Sequence, residues 1–154
     1  MDTGEGKSAQ APNINAPPTG QWTTGLFDCF DDTGICCSTW LCPQCIFGPN
    51  AEIIDQGRTS SRSATYIFCG LSLVGWAFLY SFKFRSKLRA LYNLPEEPCG
   101  DFCVHYYCLV CAISQERREL KNRGLDTSVG WKGNEFAMRK ANLVPPPVVP
   151  AMTR

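Results

Sequence analysis

The sequence carries no excess of charge of either sign, and this absence narrows the classes of partner. Fifteen lysines and arginines stand against fourteen aspartates and glutamates, for a formal net charge of +1. Basic patches with interleaved aromatic residues, which are typical of nucleic-acid binding, are also missing. We therefore expect no nucleic-acid partner.

Signatures of export and of nucleotide chemistry are absent as well. The first 20 residues, MDTGEGKSAQAPNINAPPTG, contain no apolar run of the kind that forms a signal peptide. No glycine-rich phosphate-binding motif occurs, which argues against chemistry driven by ATP. No βαβ pattern surrounds a Cys-x-x-Cys pair, which disfavours a thiol oxidoreductase. We expect the protein not to be an enzyme.

Both ends of the chain are predicted to be tails. Residues 1–20 are polar and rich in Pro, Gly and Asn, so they bury too little apolar surface to order themselves. Residues 138–154 include LVPPPVVPAMTR, which favours polyproline II. The predicted body is a cysteine-rich membrane domain over residues 21–137.

Charge is absent from residues 64–82, and this stretch is mostly apolar on every face. As a helix rising ~1.5 Å per residue, it matches the ~30 Å hydrocarbon core of a bilayer. We predict a transmembrane helix there. Lys83, Arg85, Lys87 and Arg89 follow directly, which predicts that the chain beyond them faces the cytosol.

A second apolar segment covers residues 35–54, but Pro43, Gly48 and Pro49 interrupt it. Broken backbone at membrane depth is tolerated only where protein or a water-filled cavity covers it. The pattern predicts a broken or re-entrant segment that pairs with the first helix as a hairpin, with both termini in the cytosol. The fold class is therefore a mainly α membrane protein with a cysteine-rich cytosolic helical part.

Sulfur is abundant, since the chain has ten cysteines. Eight of them form two groups in which the spacing Cys-x4-Cys-x2-Cys occurs twice, followed each time by an acidic stretch that ends at glycine. The first group is Cys36, Cys37, Cys42 and Cys45, and the second is Cys99, Cys103, Cys108 and Cys111. The repetition indicates a pseudo-repeat.

Two thiolates separated by two residues converge on one soft ion such as zinc or cadmium. We therefore predict metal ligands at Cys36, Cys37, Cys42, Cys45, Cys103, Cys108 and Cys111. His105 is a further candidate ligand, with a structural role as its alternative. For the cysteines, disulfide bonding, burial, or palmitoylation of Cys36 and Cys37 are the alternatives that the sequence leaves open.

Carboxylates follow the first cysteine group. Glu52 and Asp55 lie three residues apart, hence on one face of a helix. They are predicted to form an acidic vestibule that collects cations, or else a solvated helix end. In the stretch after the second group, Ser114 is predicted to cap a short cytosolic helix, and Glu119 to pair with Arg123.

These motifs together resemble the plant cadmium resistance proteins, in a cysteine-rich family that also holds the cell-number regulators and the placenta-specific-eight type proteins. The resemblance runs from WTTGLFDCFDD through CCSTWLCPQCIFGPNAEIIDQG and CVHYYCLVCAISQERRELKNRG to GWKGN. The family pattern ends its first motif in Cys-Pro-Cys. Here Gln44 stands at the last position and Cys45 follows it.

The resemblance implies a plasma-membrane homo-oligomer that moves zinc or cadmium and gives heavy-metal tolerance. Zinc or cadmium would be both the bound and the transported ion, and membrane lipids the other partners. An oligomer is expected on physical grounds as well, because one or two membrane segments cannot enclose an ion path. The alternative function is a metal- or lipid-binding regulatory scaffold of the cell-number-regulator type, with no transport of its own.

Overall fold

The computed structural model describes residues 20–143, so residues 1–19 of the predicted N-terminal tail and residues 144–154 lie outside the described range. Between residues 20 and 143 the chain is helical and has no strand, which confirms the mainly α prediction. A short 3-10 helix at Cys29–Asp32 precedes seven α-helices. These are α1 (Thr33–Leu41), α2 (Pro43–Ile54), α3 (Ser61–Leu73), α4 (Ala77–Tyr92), α5 (Asp101–Tyr107), α6 (Leu109–Asn122) and α7 (Gly130–Leu143).

Helix α2 is the centre of the fold, since it packs against α1, α3, α4, α6 and α7. Its Phe47 is fully buried. The Phe47 ring stacks on Phe68 of α3, with 4.7 Å between centroids, and meets Phe84 of α4 edge-on at 5.3 Å. Burying such a ring contributes about 1.5–3 kcal/mol. This aromatic cluster joins the three helices.

The predicted interruption of the first apolar segment is present at one position only. The helix breaks at Cys42, directly before Pro43. Pro43 takes the first position of α2, where its missing N–H costs nothing. Gly48 and Pro49 lie inside α2. A Cβ at Gly48 would stand 2.7 Å from the carbonyl oxygen of Ser61, so glycine is needed there for the close approach of α3.

The prediction of one continuous helix over residues 64–82 is wrong. Helix α3 ends at Leu73 and α4 begins at Ala77. Gly75 between them adopts φ +77°, and the Trp76 N–H turns back to the Leu71 carbonyl at 2.8 Å. Because residues 64–82 are apolar throughout, the hydropathy pattern gave no sign that a helix ends near Gly75. In the part of the chain that the structure describes, no helix is both long and apolar enough to cross a bilayer.

The second half of the chain departs from prediction at two helix boundaries. Helix α6 begins at Leu109, so Ser114 is a buried interior residue and not its cap. Gly124, with φ +80°, follows the end of α6. Helix α7 continues to Leu143, past the predicted start of the C-terminal tail at residue 138.

The contact between α2 and α3 predicts opposite effects for two glycine substitutions. Gly48→Ala should lower the free energy of unfolding by about 1–3 kcal/mol, because the methyl group overpacks against backbone. Gly70→Ala in α3 is the matched control, since nothing lies within 4 Å of its added Cβ. It should stabilise the protein by up to about 1 kcal/mol. Thermal unfolding followed by circular dichroism measures both, and equal effects would contradict the close-approach argument.

Candidate functional site

The first cysteine group lies at the junction of α1 and α2. Cys36 and Cys37 are on α1, and Cys37 is exposed. Cys42 stands between the two helices with φ −147° and ψ 76°, and Cys45 is in the first turn of α2. A disulfide joins Cys42 to Cys45, with 5.3 Å between their Cα atoms.

The second group repeats this arrangement at the junction of α5 and α6. Cys108 separates the helices with φ −144° and ψ 74°, and it is bonded to Cys111 at the same Cα separation of 5.3 Å. Cys103 lies on α5 outside the disulfides, and Cys99 precedes that helix. The pseudo-repeat read from cysteine spacing is therefore confirmed in the backbone itself.

Four of the predicted metal ligands are thus bridged, which is one of the alternatives that the sequence left open. A bridged pair has no thiolate to offer an ion. Across residues 20–143, no three side chains of His, Cys, Asp or Glu come together in a way that would hold a metal. The ligand set at Cys36, Cys37, Cys42, Cys45, Cys103, Cys108 and Cys111 stays a prediction for the reduced chain.

His105 lies in the core of the protein. Its Nδ1 is 2.8 Å from the Ser81 hydroxyl and its Nε2 is 2.8 Å from the Glu116 carboxylate. All three side chains are fully buried. Because both ring nitrogens have protein partners, His105 acts in this structure as a bridge between α4, α5 and α6.

Glu52 and Asp55 also have partners within the protein. Glu52 accepts hydrogen bonds from the backbone N–H groups of Ser61 and Trp131, each at 2.9 Å, and so fixes the starts of α3 and α7. Asp55 forms an ion pair with Lys87 at 2.7 Å. Burial alone would raise the pKa of Asp55, but hydrogen bonds from Lys87 and Thr59 hold that pKa below its ordinary value. The predicted vestibule role therefore competes with a structural one.

A network of buried charges beside His105 has no counterpart in the sequence predictions. Arg85, fully buried, places its Nε 3.3 Å from Asp101 Oδ1, and its Nη2 donates to Gln115 at 2.8 Å. Arg89 donates to the same aspartate, with Nη2 2.6 Å from Oδ2. Hydropathy patterns carry no signal for this network, because its members come from three separate segments.

Several buried polar atoms of this network and of nearby side chains lack a hydrogen bond among the described residues. They include Arg85 Nη1, Arg118 Nη1 and Glu116 Oε2. Unmet polar atoms of this kind are costly unless water or an ion reaches them. The core of this small helical protein is therefore unusually polar.

Apolar surface, in contrast, is displayed outward. At the turn between α3 and α4, Leu73 is 90% exposed, and Val74 and Trp76 are also exposed. Trp40 and Leu41 at the end of α1 are likewise exposed. Exposed apolar side chains that cluster on a protein surface are typical of contact with lipid or with another protein.

Comparison with known proteins gives consistent matches. A family model described as the PLAC8 family matches residues 22–119. The chain is 47% identical over 143 residues to Protein Plant Cadmium Resistance 12 of Arabidopsis thaliana, covering 93% of this chain and 89% of that protein. It is 50% identical over 119 residues to Cell number regulator 4 of Zea mays, covering 74% and 75%. No solved structure matches.

Asp101 is predicted to make stability depend on acid. Burial alone would raise its pKa, but hydrogen bonds from Arg89 and Ser86 and the nearby charges of Arg89 and Arg85 keep the pKa below its ordinary value of 3.8. Its stabilising contribution is thus present above that value and is lost as the pH falls through the folded pKa, below about pH 4.

The test compares melting temperatures from pH 6 to pH 3. Asp101→Asn should cost about 3 kcal/mol near neutral pH, because it removes one of the two carboxylates, Asp101 and Glu116, that offset the buried charge of Arg85, and it should flatten the acid-dependent part of the curve. Asp31→Asn, at an exposed carboxylate, is the control and should follow wild type. An acid profile of Asp101→Asn identical to wild type would contradict the assignment.

Proposed function

The chain belongs to the PLAC8 family, and we propose that it is a plasma-membrane homo-oligomer that lets zinc or cadmium ions cross the bilayer, without enzymatic activity of its own. The observation that carries the proposal is its likeness to relatives named for cadmium resistance, at 47% and 51% identity. Cadmium is a soft ion that prefers thiolate ligands, and the chain contains ten cysteines.

The helical hairpin formed by α3 and α4 supports membrane insertion of its tip. Three N–H groups at the turn, those of Val74, Gly75 and Trp76, donate to carbonyls of α3 at 3.2, 3.1 and 2.8 Å. The Ser72 hydroxyl donates to the Phe68 carbonyl at 2.7 Å. A turn facing lipid needs such internal pairing, because hydrocarbon offers no hydrogen-bond partner.

Charge distribution along the hairpin agrees with this placement. No charged residue occurs between residues 64 and 82, whereas α4 beyond Phe82 carries Lys83, Arg85, Lys87 and Arg89. The last three are paired with Asp55 or Asp101 inside the protein. The apolar tip of the hairpin would lie in lipid, and the charged part of α4 beyond residue 82 would lie on the cytosolic side.

An ion path would be formed between subunits. One hairpin per subunit is too little to enclose an ion path, and the exposed Trp40 and Leu41 at the end of α1 give a second copy an apolar surface to cover. The same helix carries Cys36 and Cys37, and Cys37 is exposed. Contact through α1 would gather thiolates from several subunits around the path.

A second candidate function is a regulatory scaffold that binds metal or lipid without moving ions. Relatives named Cell number regulator, at 50% identity for one of them, are the observation that favours it. The two functions differ in one measurable property, because the scaffold predicts bound metal with no flux.

Transport is tested by the uptake of radioactive zinc into liposomes that contain the purified, reduced protein. Wild type should exceed protein-free liposomes, and Cys37→Ser should reduce uptake by about tenfold, because it removes a soft ligand. Cys69→Ser is the control, since Cys69 is also exposed but lies on α3, apart from both cysteine groups. Elemental analysis of the same samples gives the bound zinc. Bound zinc with no uptake above protein-free liposomes would exclude transport and favour the scaffold.

Membrane insertion of the hairpin tip is tested by placing one charge there. Leu73→Asp should displace most of the protein from the membrane fraction in flotation assays, because a carboxylate at depth costs about 2.5–3.5 kcal/mol. Val129→Asp is the control, because Val129 is also exposed but precedes α7, away from the hairpin. Equal flotation of both variants would contradict insertion at this turn.

A further inference from the structure

We propose that Cys42 and Cys45 form a reversible redox pair that exchanges with small thiols and disulfides of the glutathione type. The matching pair Cys108–Cys111 is, in contrast, the less accessible bond, because both of its cysteines are partly buried whereas Cys45 is exposed. The exchange itself stands apart from the function proposed above, and only its consequence for metal binding rests on that function.

The spacing of the first pair is what allows the bond to form and open locally. Cys45 follows Cys42 by three residues, so the two side chains lie one turn apart at the start of α2. Their Cα separation of 5.3 Å lies within the range of about 4.4–6.8 Å that a disulfide requires. A helix start brings these residues to a similar distance whether or not they are bonded. The bridged and reduced forms can therefore share one backbone.

Exposure distinguishes the two pairs. Cys45 is exposed, so an external thiolate can approach its sulfur. Cys111 is partly buried and packs against a cluster of Leu26, Val104 and Ala112. Because exchange requires direct attack on a sulfur of the disulfide, access favours the first pair.

The exchange balances with glutathione as the only co-reactant. A glutathione thiolate attacks Cys45 Sγ, the Cys42–Cys45 bond breaks, and the Cys42 sulfur leaves as a thiolate that takes up a proton. A second glutathione thiolate attacks the glutathione sulfur of the mixed disulfide at Cys45, which releases glutathione disulfide and the Cys45 thiol. Two glutathione molecules are oxidised by two electrons in total, and the protein disulfide is reduced by two.

The consequence concerns the soft-ion ligands. A bridged Cys42–Cys45 pair offers no thiolate, whereas the reduced pair offers two at the start of α2. Oxidation would therefore withdraw two of the predicted zinc ligands without unfolding the helix junction. A cytosolic position, where glutathione keeps exposed thiols reduced, would hold the site ready for metal until the glutathione pool is oxidised.

The experiment follows both disulfides of the full-length oxidised protein, free of metal, during incubation with reduced glutathione. Alkylation at timed points and peptide mass spectrometry measure each pair separately. Cys42–Cys45 should open at least about tenfold faster than Cys108–Cys111, because its sulfur is accessible. In Cys42→Ser, treatment with glutathione disulfide should leave one glutathione on Cys45, since no second thiol stands one turn away to release it.

A spacing control separates geometry from mere reactivity. The double substitution Gln44→Cys with Cys45→Ala moves the sulfur to two residues from Cys42, off its helical face. This variant should retain glutathione adducts and form no bond between positions 42 and 44. Faster opening of Cys108–Cys111, equal rates for the pairs, or no adduct on Cys45 in Cys42→Ser would each overturn the proposal.

Zinc binding is then measured on the reduced and the bridged protein by elemental analysis. The reduced form should hold more zinc, and equal zinc in both forms would overturn the coupling to metal. Since the mass measurement uses no zinc, an absence of zinc uptake into liposomes would remove transport while leaving the exchange standing.

Discussion

Burial of the Arg85 guanidinium beside Asp101 is the constraint around which the second half of the molecule is arranged. A fully buried arginine is tolerated only with a counter-charge and hydrogen bonds, and these come from α5 and α6. Arg89 shares the same aspartate and ties the end of α4 to the start of α5. The ion pairs thereby join α4 to α5, in addition to the ring contacts of Phe78 with Phe102 and Tyr106, and the bond to Gln115 adds α6. Meanwhile Leu73 and Trp76 point outward. The buried charges beside the apolar core and the exposed apolar residues at the turn agree with the proposal that the hairpin tip inserts into lipid.

The pseudo-repeat has a physical use beyond its symmetry. Each half has a helix broken at a cysteine, with almost the same backbone angles at Cys42 and Cys108. Each is followed by a helix whose glutamate secures a distant part of the chain. Glu52 accepts from the N–H of Trp131, and Glu119 accepts from the N–H and hydroxyl of Thr23 at 2.8 and 2.7 Å. The two central helices thus hold both ends of the described chain.

Short-range sequence patterns predicted several helix boundaries and one ion pair. The burial and the partners of individual side chains depend on contacts between distant parts of the chain, which such patterns do not contain. The break near Pro43 and the pairing of Glu119 with Arg123 followed from short-range rules and are present. That pair is buried, not solvated, because Thr23, 96 residues away, covers the carboxylate. Gly75 is a residue type that often ends a helix, but the apolar stretch over residues 64–82 favoured one continuous helix. The partners of His105 lie 24 and 11 residues distant and meet only once the helices pack.

The one-residue shift of sulfur from position 44 to position 45 changes what the first junction can do. Neighbours two apart on a helix point to different sides, whereas neighbours three apart share a face. At position 44 a thiol would be free of Cys42 and available only as a separate ligand. At position 45 it stands one turn above Cys42, as Cys111 stands above Cys108. On the proposals made above, the same pair of sulfur atoms would have two alternating uses, joint coordination of a soft ion or a bond to each other. Coordination needs both sulfurs as thiolates, whereas the disulfide forms only when the two thiols lose two electrons. The redox state of the surroundings would therefore decide between the two uses.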